Sequence, residues 1–555
     1  MTRMILKNLL SGMLMLVASW AMAQDAAPNN WFHLNQDKDG YPGLSTEKVY
    51  QEILKGRQAR KVIVAVIDSG VDAEHEDLAA NMWVNEDEIP GNGIDDDQNG
   101  YIDDIHGWNF IGGKDGKNVQ QENLEVVRLY NKLKGKYEGK SASDFSGKEK
   151  EEFEQFQEYK EEIDNKREDL GPKVMQFGAI LGAFDKLIEQ VGKEPADITI
   201  EDLQKFKTED PVMTQVANMA QGFVEQGQSF GDVYKELKGY FDYLDGQFNY
   251  NYNPDFDARS IVGDDPSNVE DRNYGNNDVE GPDAQHGTHV AGIIGAVRGN
   301  DIGMDGVADN VLIMSVRAVP DGDERDKDVA NAIRYAVDNG AEIINMSFGK
   351  GYSPYKKAVD DAVKYAKKND VLLVHAAGNA AQQNQMDNNY PNDRYAKKGL
   401  FAPKEAKNWI EVGALNYGEG EDLVASFSNY SPEFVDVFAP GVEIYATVPN
   451  DKYEKLQGTS MASPTVAGVA AILRSYFPTL TANQVKDIIM DSAQPFKGKV
   501  IKPGTEELVP FSDLSVTGGM VNAYEAVKQA MMTKGKRKFE WKKVEKKDKK
   551  DVVVP

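Results

Sequence analysis

Apolar residues along this chain follow two alternating patterns. The first is an unbroken, β-branched run of strand length that ends in small or polar residues. "KVIVAVIDSGVD" holds one over Val62–Ile67 and closes on Asp68, Ser69 and Gly70. Others are "VLIMSVRAV" (311–319), "EIINMSFG" (342–349), "VLLVHAAGN" (371–379) and "WIEVGALN" (409–416). The second pattern is helical spacing, over about 327–339, 354–368, from Ser460 onwards, and 481–492. Strands apolar at every position fit burial on both faces. Their alternation with helices predicts an α/β fold in three layers, a mostly parallel sheet covered by helices on either side. Function in such sheets gathers at the carboxyl ends of the strands, where Asp68, "SFG" and "AAGN" stand.

Residues 115–255 break the alternation. In "GKEKEEFEQFQEYKEEIDNK", Phe153, Phe156, Tyr159 and Ile163 fall at spacings of 3, 3 and 4, one apolar face on a solvated helix. "MQFGAILGAFDKLIEQV" and "VMTQVANMAQGFVEQ" read as more buried helices. An inserted helical subdomain without a catalytic motif is expected there, splitting the main domain into 61–114 and 256–530. A lead at 24–60 carries a helix from a capping Ser45 to about Lys55. The Lys-rich stretch 531–555 is expected to be a disordered, solvated tail.

Composition narrows the classes. A formal net charge of −27 argues against a nucleic-acid partner. The chain has no cysteine, which excludes disulfides and thiol catalysis. At the start, Arg3 and Lys7 precede an apolar run from about Leu9 to Ala21, and Ala21-Met22-Ala23 fits signal cleavage. Residues 1–23 are therefore expected to be a signal peptide, the run being short for a membrane span of about 20 residues. Export to the periplasm or beyond, with no transmembrane span afterwards, is the expectation.

Chemistry centres on "GTSMASPTVAGVAAIL" (458–473). Thr459 or Ser460 could simply cap a small-residue helix. Alternatively Ser460 is a nucleophile at a helix N-terminus, which needs a base and an orienting acid. His286 opens the helix of "QHGTHVAGIIGA", and Asp68 ends a strand. Asp, then His, then Ser is one of the chain orders in which a Ser-His-Asp triad occurs. With "AAGN", these segments resemble the subtilisin-like serine peptidases, the subtilases, over 61–114 and 282–525. The resemblance implies an endopeptidase with Ser460 as nucleophile, His286 as general base and acid, and Asp68 orienting it. Asn379 would stand in the oxyanion hole with the Ser460 N–H. Ser347, Phe348 and Gly349 would pair with an extended polypeptide substrate, and Ala376, Ala377 and Gly378 would wall a pocket. His289 and His375 read as packed residues, Asp72 and Asp77 as turn and cap residues.

Catalysis of this kind needs no cofactor, but structural calcium is expected. "GNGIDDDQNGYIDD" (91–104) sets Asp95, Asp97, Asn99 and Asp103 around a Gly turn, and hard cations favour such oxygen ligands. An EF-hand register would place its bidentate Glu at His106, so that motif is absent. "NQDKDGYPG" and "GNDIGMDGVA" (299–308) are further candidates, the latter on its resemblance to the family's calcium loop. Residues 24–60 are too short for the propeptide common among subtilases. The insertion is therefore expected to serve as lid, inhibitor or docking module for a protein partner. The rival reading is an inactive or latent subtilase-fold binding protein acting through that insertion. An intact Asp68, His286, Ser460 and Asn379 argue against it.

Overall fold

The computed structural model describes residues 27–396 and 404–540, so the signal peptide expected at residues 1–23 and the end of the Lys-rich tail at 541–555 lie outside the described residues. The apolar runs form one sheet of nine strands. Across it the strands are Gln494–Pro495, Gly519–Met520, Val437–Pro440, Trp409–Leu415, Leu372–Ala376, Ile343–Met346, Val62–Asp68, Val311–Arg317 and Gly107–Asn109. All pair in parallel except the first two, which are antiparallel. Successive residues of a strand serve opposite faces. Val62, Val64 and Val66 enter one core, Ala65 and Ile67 the other. Helices Gln285–Gly295, Thr459–Tyr476, Ala482–Asp491 and Ala523–Met532 cover the first face. Asp326–Asp338 and Lys356–Lys368 cover the second. The three-layer α/β/α expectation holds.

Between the catalytic-type Asp and His segments stand helices Glu125–Tyr137, Gly147–Val191, Pro211–Glu225 and Phe230–Gly246. They enclose a core of their own, in which Phe153, Phe156 and Ile163 are buried and Tyr159 packs alongside. The block leaves and rejoins the body through a narrow neck. Leu124 N donates to Asn251 O at 3.0 Å, and Asn251 Nδ2 donates to Glu122 O at 2.9 Å.

Two local expectations fail. Ser45 does not cap the lead helix: it adopts a left-handed φ of 62°, and its Oγ accepts from the Asn35 and Asn522 side chains instead. The helix spans only Thr46–Val49 before a wider π turn at Tyr50–Leu54. Nor is the tail disordered from 531. Met531 and Met532 close the last helix, Arg537 N donates to Thr479 O, and the Arg537 guanidinium joins Arg60 and Arg474 around Glu342. Burial pushes the Glu342 carboxyl up, but the three guanidinium groups outweigh it and hold it down to about 2. Charge pairing at a partly buried acid thus fastens a segment whose composition reads as solvated.

The helix that carries His286 approaches the sheet without a spacer. A Cβ on Gly287 would lie 2.1 Å from Gly70 O and 3.2 Å from Asp68 Cβ. Gly287→Ala is therefore expected to destabilise the fold by ~1–3 kcal/mol through overpacking, read as a lowered Tm.

Candidate active site

Asp68 closes its strand between Arg317 on one neighbour and the end of Ile343–Met346 on the other. Its side chain is 2% exposed, whereas that of His286 is 40% exposed. Asp68 Oδ1 accepts from Ser69 N at 2.8 Å and pairs with His286 Nδ1 at 2.6 Å. That bond fixes the ring tautomer with the proton on Nδ1, leaving Nε2 as the basic nitrogen. Burial works against the imidazolium, but attraction to Asp68, its hydrogen bond and Asp283 together raise the pKa above the ordinary histidine value. The acid is dry and the base faces a cleft, the division of labour that general-base chemistry requires.

That cleft, of about 470 Å³, is lined by His286, Asn379 and Ser460 together, with Glu443, Lys455, Leu456, Gln457 and Met461. Ser460 stands in the first turn of Thr459–Tyr476, whose N-cap is Gly458 at φ 154°. Neither Thr459 nor Ser460 caps the helix through its side chain. Ser460 Oγ instead donates to Ser347 O at 3.1 Å, and Ser347 Oγ donates to Ser460 O at 2.8 Å. The two serines clasp each other across the strand end. The Ser460 hydroxyl is thus held on a backbone carbonyl rather than on His286 Nε2.

Asn379 is oriented by a residue that sequence reasoning passed over. Its Oδ1 accepts from both Thr459 N and Thr459 Oγ1 at 2.9 Å. Thr459 Oγ1 in turn accepts from Gly378 N at 3.0 Å. With its oxygen so engaged, Asn379 has Nδ2 left as a donor on the exposed side. The signal for this was the Thr directly before Ser460, weighed earlier only as a cap.

The expected substrate residues separate. Ser347 is buried in the clasp, Phe348 is half-buried and Gly349 exposed. Ala376 and Ala377 are buried. Ala377 packs with Leu415, Leu423 and Phe438, and its carbonyl accepts from Asn384, Asn389 and Asn429. Those three bonds anchor the backbone where the Gly378–Asn379 turn begins. None of these six residues lines the 470 Å³ cleft. Its far wall comes from the hairpin of Ile444–Val448 and Lys452–Leu456, which the apolar pattern did not reveal. His289 is fully buried with Nε2 against the Ile444 and Glu454 carbonyls, and burial lowers its pKa to about 4. His375 is buried against Glu411 at 3.0 Å.

The acidic loop also regroups. Carboxylate oxygens of Glu88, Asp95 and Asp97 lie within 4.8 Å of one another. Among the described residues no lysine or arginine pairs with them, so their mutual repulsion suits a hard cation with oxygen ligands. Asp103 is not in this group: its carboxylate accepts from the Asn92 and Gly93 amides. Asn99 turns its nitrogen towards Asp97 and its Oδ1 towards Tyr101 N. Glu88, which the spacing did not single out, takes their place and accepts from Asp96, Asp97 and Asp103 N–H groups.

A model of the subtilase family matches residues 59–512. The chain belongs to the subtilase family. Among its relatives, a thermophilic serine proteinase of Bacillus sp. (strain AK1) is 40% identical over 224 residues, 40% of this chain and 49% of that one. Subtilisin DY of Bacillus licheniformis is 37% identical over 211 residues, 38% of this chain and 70% of that one. Thermitase of Thermoactinomyces vulgaris is 36% identical over 243 residues, 44% and 74% of the two chains. This subtilase thus spans about half the length of the Bacillus AK1 proteinase.

Three outcomes follow from the geometry. A base of raised pKa loses its proton only at higher pH, so kcat/KM rises through a midpoint above 6.5. Asp68→Asn is expected to lower kcat by ~10⁴-fold and to move that midpoint downwards. Asn379→Leu is expected to cost ~10²–10³ in kcat with little change in KM. The midpoints are read from pH–rate profiles and the kcat and KM changes from steady-state kinetics at one pH.

Proposed function

We propose that this subtilase is an exported serine endopeptidase acting on polypeptides. The observation that carries the reading is the 2.6 Å bond between Asp68 and His286, in a cleft shared with Ser460 and Asn379. The Ser460 hydroxyl leaves the Ser347 carbonyl, gives its proton to His286 Nε2 and attacks the scissile carbonyl carbon. Asp68 stabilises the imidazolium that forms. The carbonyl oxygen, now negative, takes hydrogen bonds from Asn379 Nδ2 and Ser460 N–H. His286 then passes its proton to the leaving amine, and the acyl group remains on Ser460 Oγ. Water, deprotonated by the same imidazole, releases the acid.

Ser347–Gly349 is proposed as the edge that pairs with substrate backbone, a sequence-tolerant mode suited to extended polypeptides. Export rests on the signal-like residues 1–23. Among the described residues no helix is long and apolar enough to cross a membrane. Calcium is proposed at Glu88, Asp95 and Asp97, where it would supply the positive charge that the three carboxylates lack.

The test is hydrolysis of casein by the mature protein beside Ser460→Ala. The variant is expected to lose at least ~10³-fold in rate. Retained cleavage would sink the reading. Chelation is expected to lower the Tm of the native protein, and to change it far less in the Asp95→Asn, Asp97→Asn double variant.

A further inference from the structure

The helical insertion touches the body beside both catalytic segments, at Lys350 just past Ser347, which bonds Ser460, and at Glu454, which bonds Gln285 next to His286, and the two contacts differ in kind. One is deep. Lys350 directly follows the Ser347–Gly349 edge, and its side chain is 1% exposed. Its Nζ pairs with Glu125 of the first insertion helix at 2.9 Å and with Asp326 at 3.0 Å, and donates to Glu324 O at 2.7 Å. Arg128, from the same helix, pairs with Glu125 and donates to the Asn123 and Asp323 carbonyls. Two residues past Lys350, Tyr352 packs into the insertion's own core, its ring 5.4 Å from that of Tyr159. Removing a partner from so buried a set of charges is costly, so this foot is fixed.

The other contact is light. Lys235, on Phe230–Gly246, pairs with Glu454 at 2.9 Å, with side-chain exposures of 76% and 33%. Glu454 lies on Lys452–Leu456, next to the cleft-lining Lys455 and Leu456. Its other oxygen accepts from Gln285, the neighbour of His286. An ion pair this exposed contributes little and is screened by salt. It can open without disturbing either core.

We propose that the insertion bridges the cleft as a hinged gate, fixed at Lys350 and latched at Lys235–Glu454, so that this peptidase selects flexible, unfolded polypeptide. The inference rests on the peptidase reading above. A short peptide enters the cleft from the side with the latch closed. An internal segment of a long chain, continuing in both directions, can be laid in only when the latch opens. Folded proteins, whose loops cannot reach under the bridge, are excluded in either state.

The absence of cysteine gives a direct test. In the full chain, Lys235→Cys with Glu454→Cys introduces the only two thiols, to be joined by a bis-maleimide whose spacer a reductant cleaves. Hydrolysis of casein and of a short chromogenic peptide is measured before linking, after linking and after cleavage of the spacer. Linking is expected to lower kcat/KM for casein roughly tenfold or more while leaving the peptide unchanged, with recovery on reduction. In the wild type, added salt is expected to raise the casein-to-peptide ratio, and in the linked protein to leave it unaltered. Equal casein rates before and after linking would overturn the gate and leave the peptidase reading standing. So would parallel loss on both substrates, which would mark a disturbed site rather than closed access. Failure of the two thiols to link would show that the latch residues do not meet. A wild type inactive on the short peptide would remove the peptidase reading, and the gate with it.

Discussion

Keeping the Asp68 carboxylate charged while it is buried is the constraint on which the site depends. An unpaired charge at that depth would cost several kcal/mol. The compensation is local and directional: one backbone N–H from Ser69 and one imidazole N–H from His286. Both demand close approach, and the chain provides it with Gly70 at φ 133° and Gly287 against Gly70 O. Arg317, level with Asp68 on the next strand, donates from Nε to Ser69 O at 2.7 Å and so steadies the turn that delivers the first N–H. Burial lowers the Arg317 pKa to about 10, and its remaining donors go to Asn109 Oδ1 and Val119 O. A second buried charge is thus spent on uncharged oxygens around the acid.

The same economy of polar groups runs to the other half of the site. Ser347 holds Ser460, and Thr459 holds Asn379 and Gly378, through hydroxyl, carbonyl and amide groups. None of these contacts requires a charge. The part that must change protonation, His286, is the one left 40% exposed. The parts that must only stay in place are fastened to strand ends and to the first turn of the central helix.

Much of this was legible in the sequence because it is local. The buried strands announce themselves by apolar runs, and the "DSG", "HGTH", "AAGN" and "GTS" segments sit where those runs end. What could not be read is what arises only when distant segments meet. Glu88 comes from an unremarked acidic stretch and joins Asp95 and Asp97 only through the folded loop. The cleft wall at Lys455 and Leu456 belongs to a hairpin of mixed polarity, with neither strand period nor helix period to mark it. The docking of Arg537 depends on Glu342, on the other side of the sequence. Thr459 lay in plain view, but its role is a contact with Asn379, invisible to any pattern along one segment.

The neck at Glu122–Leu124 and Asn251 bears on how the body tolerates its passenger. Asp68 and His286 are 218 positions apart, which for an unstructured loop would carry the full entropic penalty of closure. Once the insertion has its own core and its ends share a hydrogen bond, the closure entropy left to the body is that of a short loop. The register of the sheet then owes nothing to the insertion's length. Over evolutionary time such a unit can grow, shrink or be exchanged for another, provided the replacement also brings its two ends to adjacent points and supplies a carboxylate for the buried Lys350.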